Sequence, residues 1–324
     1  MFKNISIPPF FSFVKKGKVH LLLHNDYKEL LFKQGIEDIE RFFQKYHATE
    51  IYLNGRTPHP LIPIQNGQRV VLRKYSHGGL LKALTRNLYL FGSRSFRELI
   101  LTEAIRAYGI PTVQPICAAH RLIIPPLYHP YLLTLEVPHA MNLIEYFQKV
   151  GNNPSQENIL YKRKVIRAAG LLLRKFHQTG FYHGDLQLKN LLVVDDQILL
   201  IDFDRSYRKP SLSNRERMKN LLRLNRSAEK WSQLGLPITQ TDRLRFFLAY
   251  AEKDSEILET LRKSLRAYSI SLFFHRIGWT IEKIARNFNL GTKPLKKKSE
   301  LINSLKIEKT SSTKSPLTPL FQIP

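Results

Sequence analysis

Several features that define other protein classes are scarce in this sequence. Its single cysteine, Cys117, excludes an internal disulfide and a CxxC metal site, and fits a reducing compartment. No run of about 18 apolar residues occurs, so the sequence predicts no membrane-spanning helix. The first residues lack the basic, apolar and small-residue order of a secretory signal. Together these absences predict a cytoplasmic protein.

Acidic residues are scarce as well. The 324 residues include 51 Lys and Arg but only 26 Asp and Glu, which gives a net charge of +25. Ile51–Arg97 contains eight basic residues and no acid, and Arg205–Lys230 contains nine basic residues and two acids. This balance predicts a polyanionic partner, namely nucleic acid, anionic lipid or a phosphorylated substrate. A solubilising surface is the simpler explanation for any single cluster.

The composition that remains is globular, and its character changes along the chain. Residues 1–49 combine a short apolar strand, VHLLLHN, with an amphipathic helix, IEDIERFFQKY. Apolar, β-branched segments broken by Asn-Gly follow, and they predict strands around one helix that ends at Gly109. Prolines in the later strand segments favour edge strands and turns.

Helical periodicity dominates after Met141. The segment KRKVIRAAGLLLRKFHQTG places its apolar residues on one face and ends at Gly180, and three further helices are predicted downstream. The final residues are rich in Lys, Ser, Thr and Pro, which is typical of a disordered tail. We predict an α+β fold with two lobes and a cleft. Its parts are an N-terminal extension (1–49), a strand-rich N-lobe (50–139), a helical C-lobe (140–289) and a basic tail (290–324).

The segment YHGDLQLKNLLVVDDQILLIDFDRS carries the chemistry. Two apolar runs joined by DDQ predict a hairpin, with Asp185 and Asn190 just before it and Asp202 just after it. The three side chains should therefore lie at the same end. Mg²⁺ prefers carboxylate and amide oxygens, and a hydroxyl that attacks a phosphate needs a proton acceptor. The alternative is that all three are turn residues, as we interpret Asp195 and Asp196.

The order H-x-D, four residues, N, hairpin, D-F is typical of protein kinases, in which His183 would support the loop backbone. A kinase also needs a cation on a strand to contact phosphate, and VVLRKY supplies that strand. Arg73 is the candidate, since Arg can bind phosphate bidentately, and Lys74 on the opposite face is the competing assignment. Glu98 is the candidate helical partner of this cation, with Glu103 as the alternate.

The loop that covers the phosphates has no G-x-G-x-x-G motif. The segment YLNGRTPHPLIPI occupies its place, with Gly55 and Arg56 at the tip. A single glycine in a hairpin is ordinarily only a turn residue.

Five segments in order, VVLRKYSHGGLL, RSFREL, YHGDLQLKNLLV, LIDFDRS and NLLRLNRSAEKW, resemble the lipopolysaccharide kinase family, and most closely its Kdo kinase branch. The resemblance runs from about Thr49 to Trp279. It implies a protein-kinase-like fold, the use of ATP and Mg²⁺, and phosphorylation of an inner-core sugar hydroxyl. The implied acceptor is Kdo-lipid A or the core oligosaccharide. The implied location is peripheral, on the cytoplasmic face of the inner membrane, and no nucleic acid partner is expected.

The resemblance implies roles for the residues already singled out. Asp185 would be the catalytic aspartate, Asn190 and Asp202 the metal ligands, Arg73 the phosphate contact and Glu98 its partner. Gln187 replaces a lysine that many protein kinases carry, so one phosphate contact is in doubt. DFD replaces DFG and no A-P-E follows, which puts a phosphorylation-controlled activation loop in doubt.

The basic helix after DFD supplies candidates for substrate binding. Lys219, Arg223 and Arg226 are spaced to share one helix face, which could bind the anionic groups of the acceptor or could simply be solvated. Two other functions stay open. An aminoglycoside- or choline-type kinase would carry the same catalytic residues, although its cationic substrates favour an acidic pocket. A pseudokinase that binds membranes or polyanions would fit the replacement of Lys by Arg73.

Overall fold

A computed structural model describes the chain over residues 6–47, 52–53, 59–64, 67–76, 88–90 and 93–266. The predicted loop residues Gly55 and Arg56, Trp279 and the tail lie outside these ranges. The strands described are β1 (Phe11–Lys16), β2 (Val19–His24), β3 (Tyr52–Leu53), β4 (His59–Pro63), β5 (Arg69–Lys74), β6 (Tyr89–Leu90), β7 (Pro115–Leu122), β8 (Leu127–Leu135), β9 (Met141–Asn142), β10 (Phe181–Tyr182), β11 (Leu191–Val194), β12 (Gln197–Leu200) and β13 (Tyr207–Arg208). The helices are α1 (Asn25–Lys33), α2 (Ile39–His47), α3 (Arg94–Ala107), α4 (Leu143–Val150), α5 (Gln156–Gln178), α6 (Asn214–Gln233) and α7 (Gln240–Ala251), followed by a helical stretch at 255–266.

One antiparallel sheet organises the N-lobe. Its strand order is β1-β2-β7-β8-β5-β4-β3, and β6 pairs with β8. The hairpin of β1 and β2 lies against β7, with Leu22 opposite Ala118, so the residues before position 49 extend the same sheet as those after it. The sequence predicts one strand and one helix in this extension, whereas the structure has β1, β2, α1 and α2.

Helices cover both faces of the sheet. Side chains alternate along each strand, so one strand contributes residues to both faces. Leu21 and Leu23 pack on the face covered by α1 and α2, whereas Leu22 packs on the face covered by α3. All six residues of β2 are buried for this reason. The sequence of a strand that is buried on both faces is a continuous apolar run rather than an alternation of apolar and polar residues.

The expectation that prolines mark edge strands is wrong at Pro130. This residue lies in the middle of β8, which has β7 on one side and β5 and β6 on the other. The Pro130 carbonyl accepts the Tyr75 N–H at 3.2 Å, so its nitrogen faces the same side. There it falls between the pairing of Tyr128 with β6 and that of Tyr131 with β5. The missing N–H therefore falls just beyond the last pairing of β5, that of Lys74 with Tyr131.

The C-lobe is helical around a separate apolar core. Helix α5 crosses its centre, with Val165, Leu173 and Phe176 buried against residues of α6 and α7. At Gly170 a Cβ would come within 2.6 Å of the Phe246 carbonyl, so glycine permits the close approach of α5 and α7. The short hairpin of β11 and β12 forms as predicted, with Val194 opposite Gln197.

A strand-rich lobe followed by a helical lobe confirms the predicted α+β fold with two lobes. The individual boundaries at residues 49, 139 and 289 stay predictions. Within the described ranges, no helix is both long enough and apolar enough to cross a membrane.

Candidate active site

The loop between β10 and β11 is held by His183. Its Nε2 donates to the Ile201 carbonyl at 3.0 Å, and its Nδ1 accepts the Asp185 N–H, also at 3.0 Å. Burial lowers the pKa of His183, which keeps the imidazole neutral and able to donate and accept at once. His183 thus ties the loop to the residue just before Asp202, in line with the supporting position predicted for it.

Asn190 and Asp202 come together at the base of the hairpin, as predicted. The Ile201 N–H donates to the Asn190 carbonyl at 3.1 Å, so Asp202 lies one residue beyond that pairing. The Asn190 Nδ2 donates to the Asp185 carbonyl at 2.8 Å, which leaves the amide oxygen as the atom able to bind a cation. Asp202 has a φ of 65°, a left-handed conformation that Asp tolerates better than most residues.

Arg73 connects the N-lobe to Asp202. From β5, its Nη1 donates to Asp202 Oδ1 at 2.7 Å, and its Nη2 forms an ion pair with Glu98 of α3. Burial alone would raise the pKa of Asp202, but the Arg73 guanidinium outweighs it and holds that pKa below its ordinary value. Asp202 is therefore an anion at neutral pH.

Glu98 is buried and doubly bound. Besides the ion pair with Arg73, it accepts a hydrogen bond from the Tyr75 hydroxyl. Burial raises the pKa of Glu98, and Arg73 opposes that rise. The alternative assignments lie elsewhere, because Glu103 pairs with Arg106, and Lys74 lies on the opposite face of β5, 3.8 Å from Glu40.

Helix α6 supports the loop between β10 and β11 along one face, with contacts that the sequence did not predict. Asn220 accepts the His183 N–H at 3.3 Å and donates to the His183 carbonyl at 2.7 Å, and it also contacts His177 Nε2 at 3.0 Å. One turn to two turns further along, Arg223 pairs with Asp185, and Ser227 Oγ accepts the Leu188 N–H at 3.3 Å. In the sequence, the only sign of this role is that Asn220 is a polar residue next to an apolar one, Leu221.

Cations surround Asp185. In addition to Arg223, the Lys189 Nζ lies 3.8 Å from its Oδ2, and Gln187 Nε2 donates to its Oδ1 at 2.5 Å. Gln187, which replaces the lysine of many protein kinases, therefore still orients the aspartate. Lys189, two residues later, places an ammonium group at the same side chain.

The two other predicted substrate-binding residues lie on either side of Arg223 along α6. Lys219 and Arg226 are exposed, whereas the Arg223 side chain is 42% exposed and turned to Asp185.

Another residue that the sequence did not indicate is His59 of β4. Burial, and then the nearby Arg73, lower the pKa of His59 to about 4, so a neutral imidazole lies beside the Arg73 and Asp202 pair.

The donors suited to a metal are few. Among the described residues, no group of three or more His, Cys, Asp or Glu side chains is placed to hold a metal ion. Asn190 and Asp202 offer one amide oxygen and one carboxylate. Such a pair fits Mg²⁺, which ordinarily keeps several waters and takes its other ligands from a nucleotide's phosphates.

Sequence comparison places this site in a known family. The profile of the lipopolysaccharide kinase (Kdo/WaaP) family matches residues 60–250, more than half of the chain. The chain belongs to this family. The loop between β10 and β11, the hairpin of β11 and β12, and helix α6 all lie inside the matched region.

Individual relatives of this kinase family are similar over a shorter stretch. The 3-deoxy-D-manno-octulosonic acid kinase of Vibrio cholerae serotype O1 is 32% identical over 167 residues, which is 49% of this chain and 65% of that protein. The same-named kinase of Actinobacillus succinogenes is 30% identical over 185 residues, covering 54% of this chain and 72% of that protein. The match to the Vibrio protein thus spans slightly less than two thirds of its length.

Among solved structures, this chain is similar to WaaP in complex with acyl carrier protein. The two share 19% sequence identity and superpose with a TM-score of 0.49, over 76% of this chain and 99% of WaaP.

Proposed function

We propose that the protein transfers phosphate from ATP to a hydroxyl of an inner-core lipopolysaccharide sugar, namely Kdo on Kdo-lipid A. One observation carries the proposal: in a member of this kinase family, Asp185, Asn190 and Asp202 share one end of a hairpin, and Arg73 reaches Asp202 from the other lobe. The named relatives support Kdo as the sugar.

The nucleotide side of the site is assigned to Arg73 and Glu98. Arg73 is fixed by Glu98 and Asp202, so its guanidinium is oriented before any phosphate binds. Gly55 and Arg56 are assigned to the covering loop. Asn190 and Asp202 would hold Mg²⁺, which supplies charge neutralisation to the phosphate oxygens.

Asp185 is assigned as the proton acceptor for the attacking hydroxyl. Its Oδ1 is held by Gln187 and Arg223, and its backbone N–H by His183, so the carboxylate has one orientation. The acceptor would bind beside it, where Arg223 and Lys189 can also contact an acidic sugar such as Kdo. Arg223 therefore belongs to the reaction centre rather than to a remote docking surface.

The exposed cations Lys219 and Arg226 would bind the anionic groups of the lipid-linked acceptor. Near an anionic membrane, each such residue contributes about 1 kcal/mol of attraction, so a cluster can hold the enzyme at the surface without a spanning helix. We assign the cytoplasmic face of the inner membrane as this surface, because ATP is available there.

The experiment compares lipopolysaccharide from a strain that lacks the gene with that of its parent by mass spectrometry. We expect the deletion to remove one phosphate from the inner core, at Kdo. Complementation with the wild-type gene should restore that phosphate, and complementation with Asp185→Asn should not. An unchanged inner core would contradict the proposal. Restoration by Asp185→Asn would favour the non-catalytic, polyanion-binding alternative.

A further inference from the structure

The ion pair between Arg94 and Asp204 has no part in the chemistry assigned above. Arg94 is the first residue of α3, and Asp204 is the last residue of the DFD triplet. The Arg94 Nε donates to Asp204 Oδ1 at 2.6 Å, and its Nη2 donates to Oδ2. Two parallel N–H bonds to one carboxylate fix orientation as well as distance, and both side chains are about one quarter exposed or less.

Arg94 also lies against the aromatic residues that lead to Glu98. Its guanidinium is 4.8 Å from the Tyr89 ring centroid and 5.5 Å from that of Tyr75. The Tyr75 hydroxyl donates to Glu98, which lies one turn after Arg94 on α3. Glu98 in turn holds Arg73, which donates to Asp202. The contacts form a ring that starts and ends in the DFD triplet.

The backbone around Asp204 leaves it little freedom. Asp202 and Arg205, on either side, have φ values of 65° and 60°. A Cβ at Gly184 would come within 2.5 Å of the Asp204 carbonyl, so the catalytic loop packs directly on this segment. Phe203, between the two aspartates, is 2% exposed. A segment fixed in this way can transmit the position of α3 to Asp202.

We propose that Arg94 and Asp204 are a positioning pair that fixes α3, and with it Glu98 and Arg73, in the geometry that binds nucleotide. The aspartate at this position replaces the glycine of DFG in protein kinases. The pair would keep the site assembled without a phosphorylated activation loop. The inference rests on the proposed function only in that the site binds MgATP.

The test is a double-mutant cycle with Arg94→Gln and Asp204→Asn, read out as MgATP affinity by calorimetry and as kcat and KM for both substrates. A misplacement of about 1 Å can cost 10²-fold in rate, so we expect each single variant to lower kcat/KM for ATP by roughly 10- to 100-fold. The acceptor KM should stay unchanged. The double variant should be no worse than either single variant, because both break the same contact.

Two further variants separate positioning from general destabilisation. Exchange of the two charges, Arg94→Asp with Asp204→Arg, should recover part of the lost affinity, and Arg94→Lys should be intermediate because it keeps the charge but not the paired bonds. Arg106→Gln is the matched control, since Arg106 lies at the other end of α3 and, among the described residues, forms its ion pair with Glu103; it should have wild-type kinetics.

Three results would overturn the pair's role: additive losses in the double variant, unchanged MgATP affinity in variants that only melt earlier, or an equal loss in Arg106→Gln. Nucleotide affinity is measured without any acceptor, so an error in the proposed acceptor leaves this test intact. If wild-type protein binds no MgATP, the proposed nucleotide site fails, and the positioning role fails with it.

Discussion

The two sides of the site hold their charges in different ways. On the proposed nucleotide side, Glu98 is 4% exposed and binds Arg73 and Tyr75, whereas Arg73 is 21% exposed and binds both Glu98 and Asp202. On the proposed acceptor side, Asp185 is 31% exposed, and Arg223 and Lys189 are both 42% exposed. Charges that are buried and paired depend strongly on each partner and little on salt, whereas exposed charges are screened. The nucleotide side should therefore respond to single substitutions, and the acceptor side should also respond to ionic strength.

The largest effect is expected from Asp202→Asn, which should abolish Mg²⁺-dependent turnover. Asparagine tolerates the left-handed backbone at this position, so the fold should persist while the carboxylate is lost. Asp195→Asn is the matched control, because Asp195 also has positive φ and lies in the turn of the same hairpin, far from the site. MgATP turnover and affinity equal to wild type in Asp202→Asn would remove its role as a metal ligand.

The next largest effect is expected from Asp185→Asn. The loss of a positioned base ordinarily lowers turnover by roughly 10² to 10⁴. MgATP affinity should hardly change, since the Asp185 carboxylate contacts Gln187, Lys189 and Arg223 and not Arg73. Steady-state kinetics together with calorimetry would check both parts. A variant that loses MgATP binding yet keeps its rate at saturation would move Asp185 to the nucleotide side.

A third substitution, Asn220→Leu, acts on the loop between β10 and β11, which contributes to both sides of the site. It leaves the His183 N–H, the His183 carbonyl and His177 Nε2 without their observed partner. Unsatisfied buried groups cost about 1–3 kcal/mol each, so we expect the free energy of unfolding to fall by roughly 3 kcal/mol or more. Urea unfolding would measure it. Asn158→Leu, at an exposed position in the first turn of α5, should change it by less than about 0.5 kcal/mol.

The smallest effect is expected from the paired change Lys219→Gln and Arg226→Gln. At about 1 kcal/mol for each cation, binding to anionic vesicles should weaken by up to roughly 30-fold at low salt, and the acceptor KM should rise. Both effects should shrink at high salt, where wild type is already screened. Lys15→Gln with Lys18→Gln removes the same charge from exposed positions of the β1 and β2 hairpin. An identical loss in that control would show that net charge, and not this helix face, binds the membrane.

The sequence predicts the elements that carry local signals. The hairpin of β11 and β12, the long helix α5 and the helix that carries Glu98 all have periodicity and end signals of their own. The shared end of Asp185, Asn190 and Asp202 followed from the hairpin alone. It also followed from strand alternation that Arg73 and Lys74 lie on opposite faces, although only the structure shows which face meets Asp202.

Long-range contacts could not be predicted in this way. The role of Asn220 depends on how α6 packs against a loop 37 residues earlier, and the pairing of Arg94 with Asp204 spans 110 residues. No local pattern encodes either contact. Pro130 shows a second reason for failure, because its place inside the sheet depends on where the pairings of β5 and β6 with β8 end.

Direct phosphate transfer in a purified system tests the central claim most directly. Wild-type protein, Kdo-lipid A, Mg²⁺ and γ-labelled ATP would be incubated together, and the lipid product would be fragmented by mass spectrometry. We predict that one labelled phosphate appears on Kdo and that Asp185→Asn forms almost none. Hydrolysis of ATP with no label in the lipid, or label on a lipid A hydroxyl instead of the sugar, would contradict the account.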